Sequence, residues 1–509
     1  MIPRWAFAVA AVAVLAVTVD VSPASAAGAK VTGGGASFPQ LELEQWRADV
    51  SGPPYNLSID YQAAGSTFGR QKYLAGQLDY GVSDIPFQPE EMDQLAKSPR
   101  RNFVYVPVSA GGLGFMYNVI GLDGRRITNL RLSQESVCRV FTEDEIYWDD
   151  PGLVADNPGV PLPHDRVRPV ARSDGSGTSY VLSEFCISTA PAVWSKFIGL
   201  VKAVAPSTAS SDFSAGAPTS QWPSGYGAVG VAFASDGVAN TVANDVAGKS
   251  TITYVEAGFA KERGFPNALV RNSAGVYNAP DSPNVTVALG FATGRADGTF
   301  DLDYLAGDPK AYFPSSYSYV IAQTTGFDPA KGATLSTFLN YAVTAGQKRA
   351  ESLGYARLST VLVNLALDQI ARIPGAGPRP TDLQGAPPPP RAIDTSKIVP
   401  GATAGAVAAG ATPPVAAAGA APASGAAAAA GPAASAAAAT EVAGASVTRG
   451  ADGRVRLDAG QLAAGASASA AGKRTAPGTN DPISDKETLW YFAIGAGLVA
   501  LARFGRALA

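Results

Sequence analysis

Leu57-Ser58-Ile59-Asp60-Tyr61, then Gly69-Arg70-Gln71-Lys72-Tyr73-Leu74-Ala75-Gly76, then Leu78-Asp79-Tyr80-Gly81-Val82 read as a strand, a short helix ending at glycine, and a second strand. Together they form a βαβ pattern. Further out, residues 103–108 and 317–322 have the pattern of strands. Residues 335–353 carry a long helical pattern with Gly354 at its end, and 361–373 carry one more helix before Pro374. From about residue 29 to 374, apolar runs alternate with helical patterns and glycine-rich turns, which predicts an α/β layered fold.

Three turns rich in Gly, Ser and Thr each open a helix. They are Gly33-Gly34-Gly35-Ala36-Ser37-Phe38-Pro39 before a helix over 41–50, Ala64-Gly65-Ser66-Thr67-Phe68-Gly69, and Arg172-Ser173-Asp174-Gly175-Ser176-Gly177-Thr178 before a helix over 179–185. The first N–H groups of a helix have no internal partner and sit at the positive end of its dipole, so each turn can hold an anion. A lone Ser or Thr there is more often a simple N-cap. Arg172 adds a guanidinium fork for an oxyanion, with Asp174 placed to orient it. Asp84, in Val82-Ser83-Asp84-Ile85-Pro86, fits an anion site only if the anion carries a proton that the carboxylate can accept. Phosphate keeps such a proton near neutral pH and sulfate does not, so an unpaired like charge would reject sulfate. The plainer reading of Asp84 is a turn residue before Pro86.

The order GASFP, YQAAGS, DYGVSDIPF, Asn157-Pro158-Gly159-Val160, ARSDGSGTS and FLNYAVTAGQKRAESLGYARL closely resembles the phosphate-binding proteins that serve phosphate ABC transporters. The resemblance covers about 30–373. It implies a two-lobed, type 2 periplasmic-binding-protein fold with a hinge, closing over one phosphate without chemistry, catalytic residues or a cofactor. Carried over by motif, Ser37, the backbone N–H of Phe38, and Ser66 would donate to phosphate, and Asp84 would accept its proton. Arg172, Ser176, Gly177 and Thr178 would complete the cage, with Asp174 in support. One lobe would comprise about 30–108 and 315–374, and the other about 109–314. Thr67 and Phe68 stand where the family usually has a glycine-rich stretch. The implied partner is the permease of an ABC transporter, served by a single copy of the chain.

Composition narrows the alternatives. Of 509 residues, 46% are hydrophobic and 16% charged, with a net charge of −3, so no polyanion-binding surface and no nucleic-acid partner are expected. One His and two Cys are too few for a His/Cys zinc site, and a Ser-His-Asp triad would have only His164 to use. No metal is therefore expected, and phosphomonoester hydrolysis lacks a base beside the turn serines. Another tetrahedral oxyanion such as sulfate, or a non-transport cell-surface protein on the same fold, are the competing readings.

Both ends carry apolar segments. Residues 1–26, with Arg4, an apolar run and Ala24-x-Ala26, read as a cleaved secretory signal peptide rather than an N-terminal anchor. That places 27–375 outside the cytoplasm, where Cys138 and Cys186 would either form a disulfide or stay as buried thiols. Residues 376–488 are rich in Ala, Pro and Gly with little to bury, and read as a disordered linker. Residues 489–509, with Trp490 and Tyr491 before an apolar run and Arg503 and Arg506 after it, read as a transmembrane anchor at the cell surface. An interfacial helix or a sorting signal removed after export are the alternatives for this short segment.

Overall fold

The computed structural model describes residues 28–245, 250–383, 393–399, 447–449 and 455–457. The expected signal peptide and C-terminal anchor lie outside them. Among the described residues no helix is long and apolar enough to cross a membrane.

An eight-stranded sheet organises the fold. Its strands are β1 (Val31–Gly35), β2 (Ile59–Ala63), β3 (Tyr80–Ser83), β4 (Phe103–Asn118), β5 (Arg168–Arg172), β6 (Gly230–Ala232), β7 (Thr251–Glu256) and β8 (Ser315–Gln323). The order across the sheet is β2-β1-β3-β8-β4-β7-β5-β6. At one side β1 pairs in parallel with β2 and β3, and at the other β5 pairs in parallel with β6 and β7. Two antiparallel strands join these blocks. β4 pairs with β8 over Phe103–Gly112 and with β7 over Leu113–Asn118. Every residue of β4 and β8 is buried, as expected for strands covered on both faces.

The βαβ pattern is present as expected, with a helix α1 (Gln40–Val50) after β1 and α2 (Ser66–Leu74) between β2 and β3. Two readings change. The strand expected over 103–108 runs on to Asn118, because its apolar residues continue and pair with a second partner beyond Gly112. The single helix expected over 335–353 is three pieces: Pro329–Val343, a 3₁₀ turn Ala345–Arg349, and Ala350–Leu353. The break falls at Thr344, whose φ of −119° and ψ of −95° leave the helical region. There Gln347 turns inward and donates to the carbonyls of Val108 and Ala342, so satisfying buried backbone acceptors overrides the helical period. Gly354 ends the last piece in the left-handed conformation, as its position predicted.

Asn157, from the Asn-Pro-Gly-Val turn, is buried, and its side-chain amide accepts from Arg131 N–H and donates to the Arg131 and Leu153 carbonyls. Cys138 and Cys186 form a disulfide between the helix Gln134–Thr142 and the helix Gly177–Thr189. Within the stretch expected to be a linker, Ile393 is buried. The Asp394 carbonyl accepts from Gly294 N–H at 2.6 Å, and Ile398 packs against the core. Ala376, Leu383, Ile393 and Ile398, all beyond position 375, thus pack on the body. Residues Val447–Arg449 and Val455–Leu457 pair as an antiparallel two-stranded ladder.

The bridge closes a loop with a sequence separation of 48, for which the chain-entropy model gives about 4 kcal/mol. Replacing both cysteines by alanine is expected to lower the melting temperature by roughly 5–15 °C, measured by circular dichroism. The wild-type protein should match the variant after reduction.

Candidate functional site

The parallel blocks present their carboxyl ends to one another, and the motif residues of the site lie at or just after those ends. In open α/β sheets such ends, where strand order reverses, leave a crevice for ligands. Ser37 and Phe38 follow β1, Ser66 follows β2, Asp84 follows β3, and Arg172 ends β5. Ser235 follows β6 and Glu256 ends β7. The turns then enter α1, α2, the helix Gly177–Thr189 and the helix Ala234–Ala243, so four helix N-termini converge on one region. All the residues expected from the motifs meet there, and all are buried.

Asp84 is 5% exposed and receives two hydroxyl hydrogen bonds, from Ser318 Oγ to Oδ1 at 2.5 Å and from Ser66 Oγ to Oδ2 at 3.0 Å. Ser66 Oγ also accepts from the Asp84 N–H at 3.2 Å. Burial pushes the Asp84 carboxyl up to about 7. The Ser318 and Ser66 donors and Arg172 oppose the rise, and nearby Glu256 adds to it. Arg172 is 2% exposed, and its Nε and Nη2 donate to Asp174 at 2.8 and 2.5 Å. Nη1 points the other way, to Ser235 Oγ at 3.3 Å and Thr178 Oγ1 at 3.4 Å. Asp174 also accepts from the Ala234 N–H at 2.9 Å, which locks the guanidinium to the turn after β6. A buried ion pair of this kind fixes orientation more than it stabilises the fold.

Ser37 bridges the two blocks: its Oγ lies 2.8 Å from Ser235 Oγ and accepts from Ser235 N–H at 3.0 Å. Ser176 Oγ caps the following helix by accepting from Ser179 N–H. The Phe38 ring is buried edge-on against Tyr355, whose hydroxyl donates to the Phe38 carbonyl at 2.6 Å. At Gly177 the two blocks come close together. A Cβ on it would stand 2.5 Å from both Asp84 Oδ2 and Ser66 Oγ, so only glycine permits this contact. At the second turn, Thr67 N–H donates to the Gly175 carbonyl at 2.9 Å. The Thr67 side chain adds a second cross-block contact, its Oγ1 lying 3.3 Å from Ser220 Oγ.

Four contributors were not expected from the motifs. Ser318 lies inside β8, Ser235 opens a fourth turn, and Glu256 ends β7. Arg70, paired with Glu91 and 1% exposed, donates to Ser83 Oγ beneath Asp84. Signals existed for three of them. Ser318 interrupts an aromatic strand, Ala234-Ser235-Asp236-Gly237 repeats the small polar turn before a helix, and Glu256 closes an apolar run.

This arrangement of converging helix N-termini, hydroxyls and a held guanidinium on two halves of one sheet defines a solute-binding class. A family model described as the PBP superfamily domain matches residues 20–345, well over half of the chain, and the chain belongs to that superfamily. Among its relatives is the phosphate-binding protein PstS of Xylella fastidiosa strain 9a5c, 28% identical over 335 residues that cover 66% of this chain and 83% of the relative. The PstS of Haemophilus influenzae is 26% identical over 340 residues, covering 67% and 92%. The crystal structure of a DING protein and that of the ancestral soluble variant of the human phosphate binding protein share the fold. Each does so at 17% identity and a TM-score of 0.50, over 69% of this chain and 100% of the other.

Asp84 has a measurable signature in stability. Its carboxyl is raised from 3.8 to about 7 in the folded protein, so the fold gains from the proton at low pH and loses that gain as pH rises toward 7. Asp84→Asn stays neutral throughout. Without ligand it is expected to melt close to wild type near pH 4 and a few degrees higher near pH 8, by calorimetry. Equal melting temperatures at both would remove the buried-charge account.

Proposed function

We propose that the chain is an extracytoplasmic receptor that captures inorganic phosphate between the two halves of its sheet and delivers it to an ABC-type permease, with no chemistry on the ligand. The observation that carries this reading is Asp84. It is a buried carboxyl set among hydroxyls beside Arg172, and it makes sense in an anion site only for an oxyanion with a proton to donate. The relatives named phosphate-binding protein PstS support the same ligand.

In this reading, Ser37 and Ser176 donate from their hydroxyls, Ser66 and Thr178 turn theirs from Asp84 and Glu256 to the ion, Phe38 and Gly177 donate from their backbone N–H groups, and Arg172 from Nη1. Asp174 holds Arg172 and Asp84 accepts the ligand's proton. Because each of these residues is at most 8% exposed, the halves must part to admit the ion. The lobes are 30–108 with 315–374, and 109–314, hinged where β4 and β8 pass from one to the other. Residues 1–26 direct export, 376–488 link the body to the membrane, and 489–509 anchor it at the outer face. The chain acts as a monomer toward the permease.

Equilibrium dialysis of the full-length protein with labelled phosphate tests this directly. Phosphate is expected to bind and to resist a large excess of sulfate, with discrimination on the order of 10⁴ or more. Asp84→Asn should bind phosphate while losing that resistance. Failure of the wild type to bind phosphate would end the proposal, and easy displacement by sulfate would make it a general oxyanion receptor.

Arg172→Lys removes the fork that Asp174 orients, and is expected to weaken phosphate about 10- to 100-fold. Gly177→Ala sets a methyl against Asp84 and Ser66 and should weaken it at least about tenfold by preventing closure. Titration calorimetry checks both.

A further inference from the structure

Glu256 ends β7 inside the cage and is 1% exposed. Its Oε1 accepts from Thr178 Oγ1 at 3.0 Å, in the first turn of the helix Gly177–Thr189. Its Oε2 is buried and has no hydrogen-bond partner among the described residues. The Ser235 hydroxyl stands beside Glu256, accepts from Arg172 Nη1 at 3.3 Å and lies 2.8 Å from Ser37 Oγ. A buried carboxyl oxygen without a partner at a ligand cage needs an explanation.

The groups facing Glu256 come from every neighbouring element. Arg172 faces it from β5, its charge already held by Asp174. Asp84 faces it from the end of β3, and Tyr355 from the turn after Ala350–Leu353. One guanidinium thus meets three carboxyls. With all three ionised, the cage would repel any anion.

We propose that Glu256 is a second ligand-facing carboxyl of the phosphate cage, neutral when phosphate is bound and donating from Oε2 to a phosphate oxygen, so that capture is coupled to a proton. This rests on the phosphate reading above. The two carboxyls then have opposite duties: Asp84 accepts the ligand's proton and Glu256 supplies one. Burial raises the Glu256 carboxyl above its ordinary range, against the pull of Arg172 and of the Ser235 and Thr178 hydroxyls. Where the free protein has released that proton, binding must take one up. Affinity then falls with rising pH by as much as tenfold per unit from this group alone.

The test is titration calorimetry of the full-length protein with inorganic phosphate, from about pH 6 to about pH 9, in two buffers of different ionisation enthalpy. Wild type is compared with Glu256→Gln, whose amide imitates the neutral acid in size and donor capacity. The ligand's own protons are common to both proteins and cancel. Glu256→Gln is expected to bind within about threefold of wild type near pH 6, to take up as much as one proton fewer near pH 9, and to lose affinity less steeply in between. In addition, an infrared difference spectrum of phosphate-bound minus free wild type at the higher pH should show a new carboxylic-acid band that Glu256→Gln lacks.

Parallel pH profiles in the two proteins, with no band, would overturn the assignment. So would loss of affinity beyond about tenfold near pH 6, which would mean the ionised form is needed. If wild type binds no phosphate, the receptor reading itself falls and takes this one with it. If wild type binds phosphate, only the role of Glu256 is at stake. Thermal melts of Glu256→Gln guard against loss of folding.

Discussion

Asp84 is removed from water when the two halves of the sheet meet, and a buried carboxyl keeps its charge only where donors surround it. Ser318 and Ser66 are placed for that purpose, one from the long strand between the halves and one from a helix N-terminus. The rest of the site follows from the same constraint. Arg172 is paired with Asp174 so that the guanidinium does not collapse onto Asp84, and Gly177 is bare so that a second turn can reach the carboxyl. Such a site favours an anion that brings a proton over one that brings charge alone.

The architecture serves this geometry. Two blocks of parallel strands aim their carboxyl ends at a shared crevice, and the turns leaving those ends start helices, so N–H donors arrive in numbers without long side chains. The central strands β4 and β8 lie between the blocks, β8 pairing with β3 on one side and β4 with β7 on the other. The disulfide joins the helix Gln134–Thr142 to the helix Gly177–Thr189, so it pins a helix whose first turn lies in the site.

Much of this was legible from residues alone. The βαβ pattern over 57–82, the three small polar turns and the pairing of Arg172 with Asp174 are local features, set by spacing within a few residues. The long helix expected over 335–353 failed for a reason that local pattern does not carry: Gln347 is drawn inward to Val108 and Ala342. Likewise β4 outran its expected end because its later residues found a partner, β7, that lies far along the chain.

The sequence by itself determined which small polar turns open helices, which arginine is oriented and which carboxylate is out of place, because each depends on neighbours one to three residues away. Only the tertiary structure decided that Ser318 holds Asp84, that Ser235 meets Ser37 across 198 positions, and that Glu256 is left with an unpartnered oxygen beside Arg172. Those contacts come from strand order, and strand order follows from how distant apolar faces pack together, which no local spacing encodes.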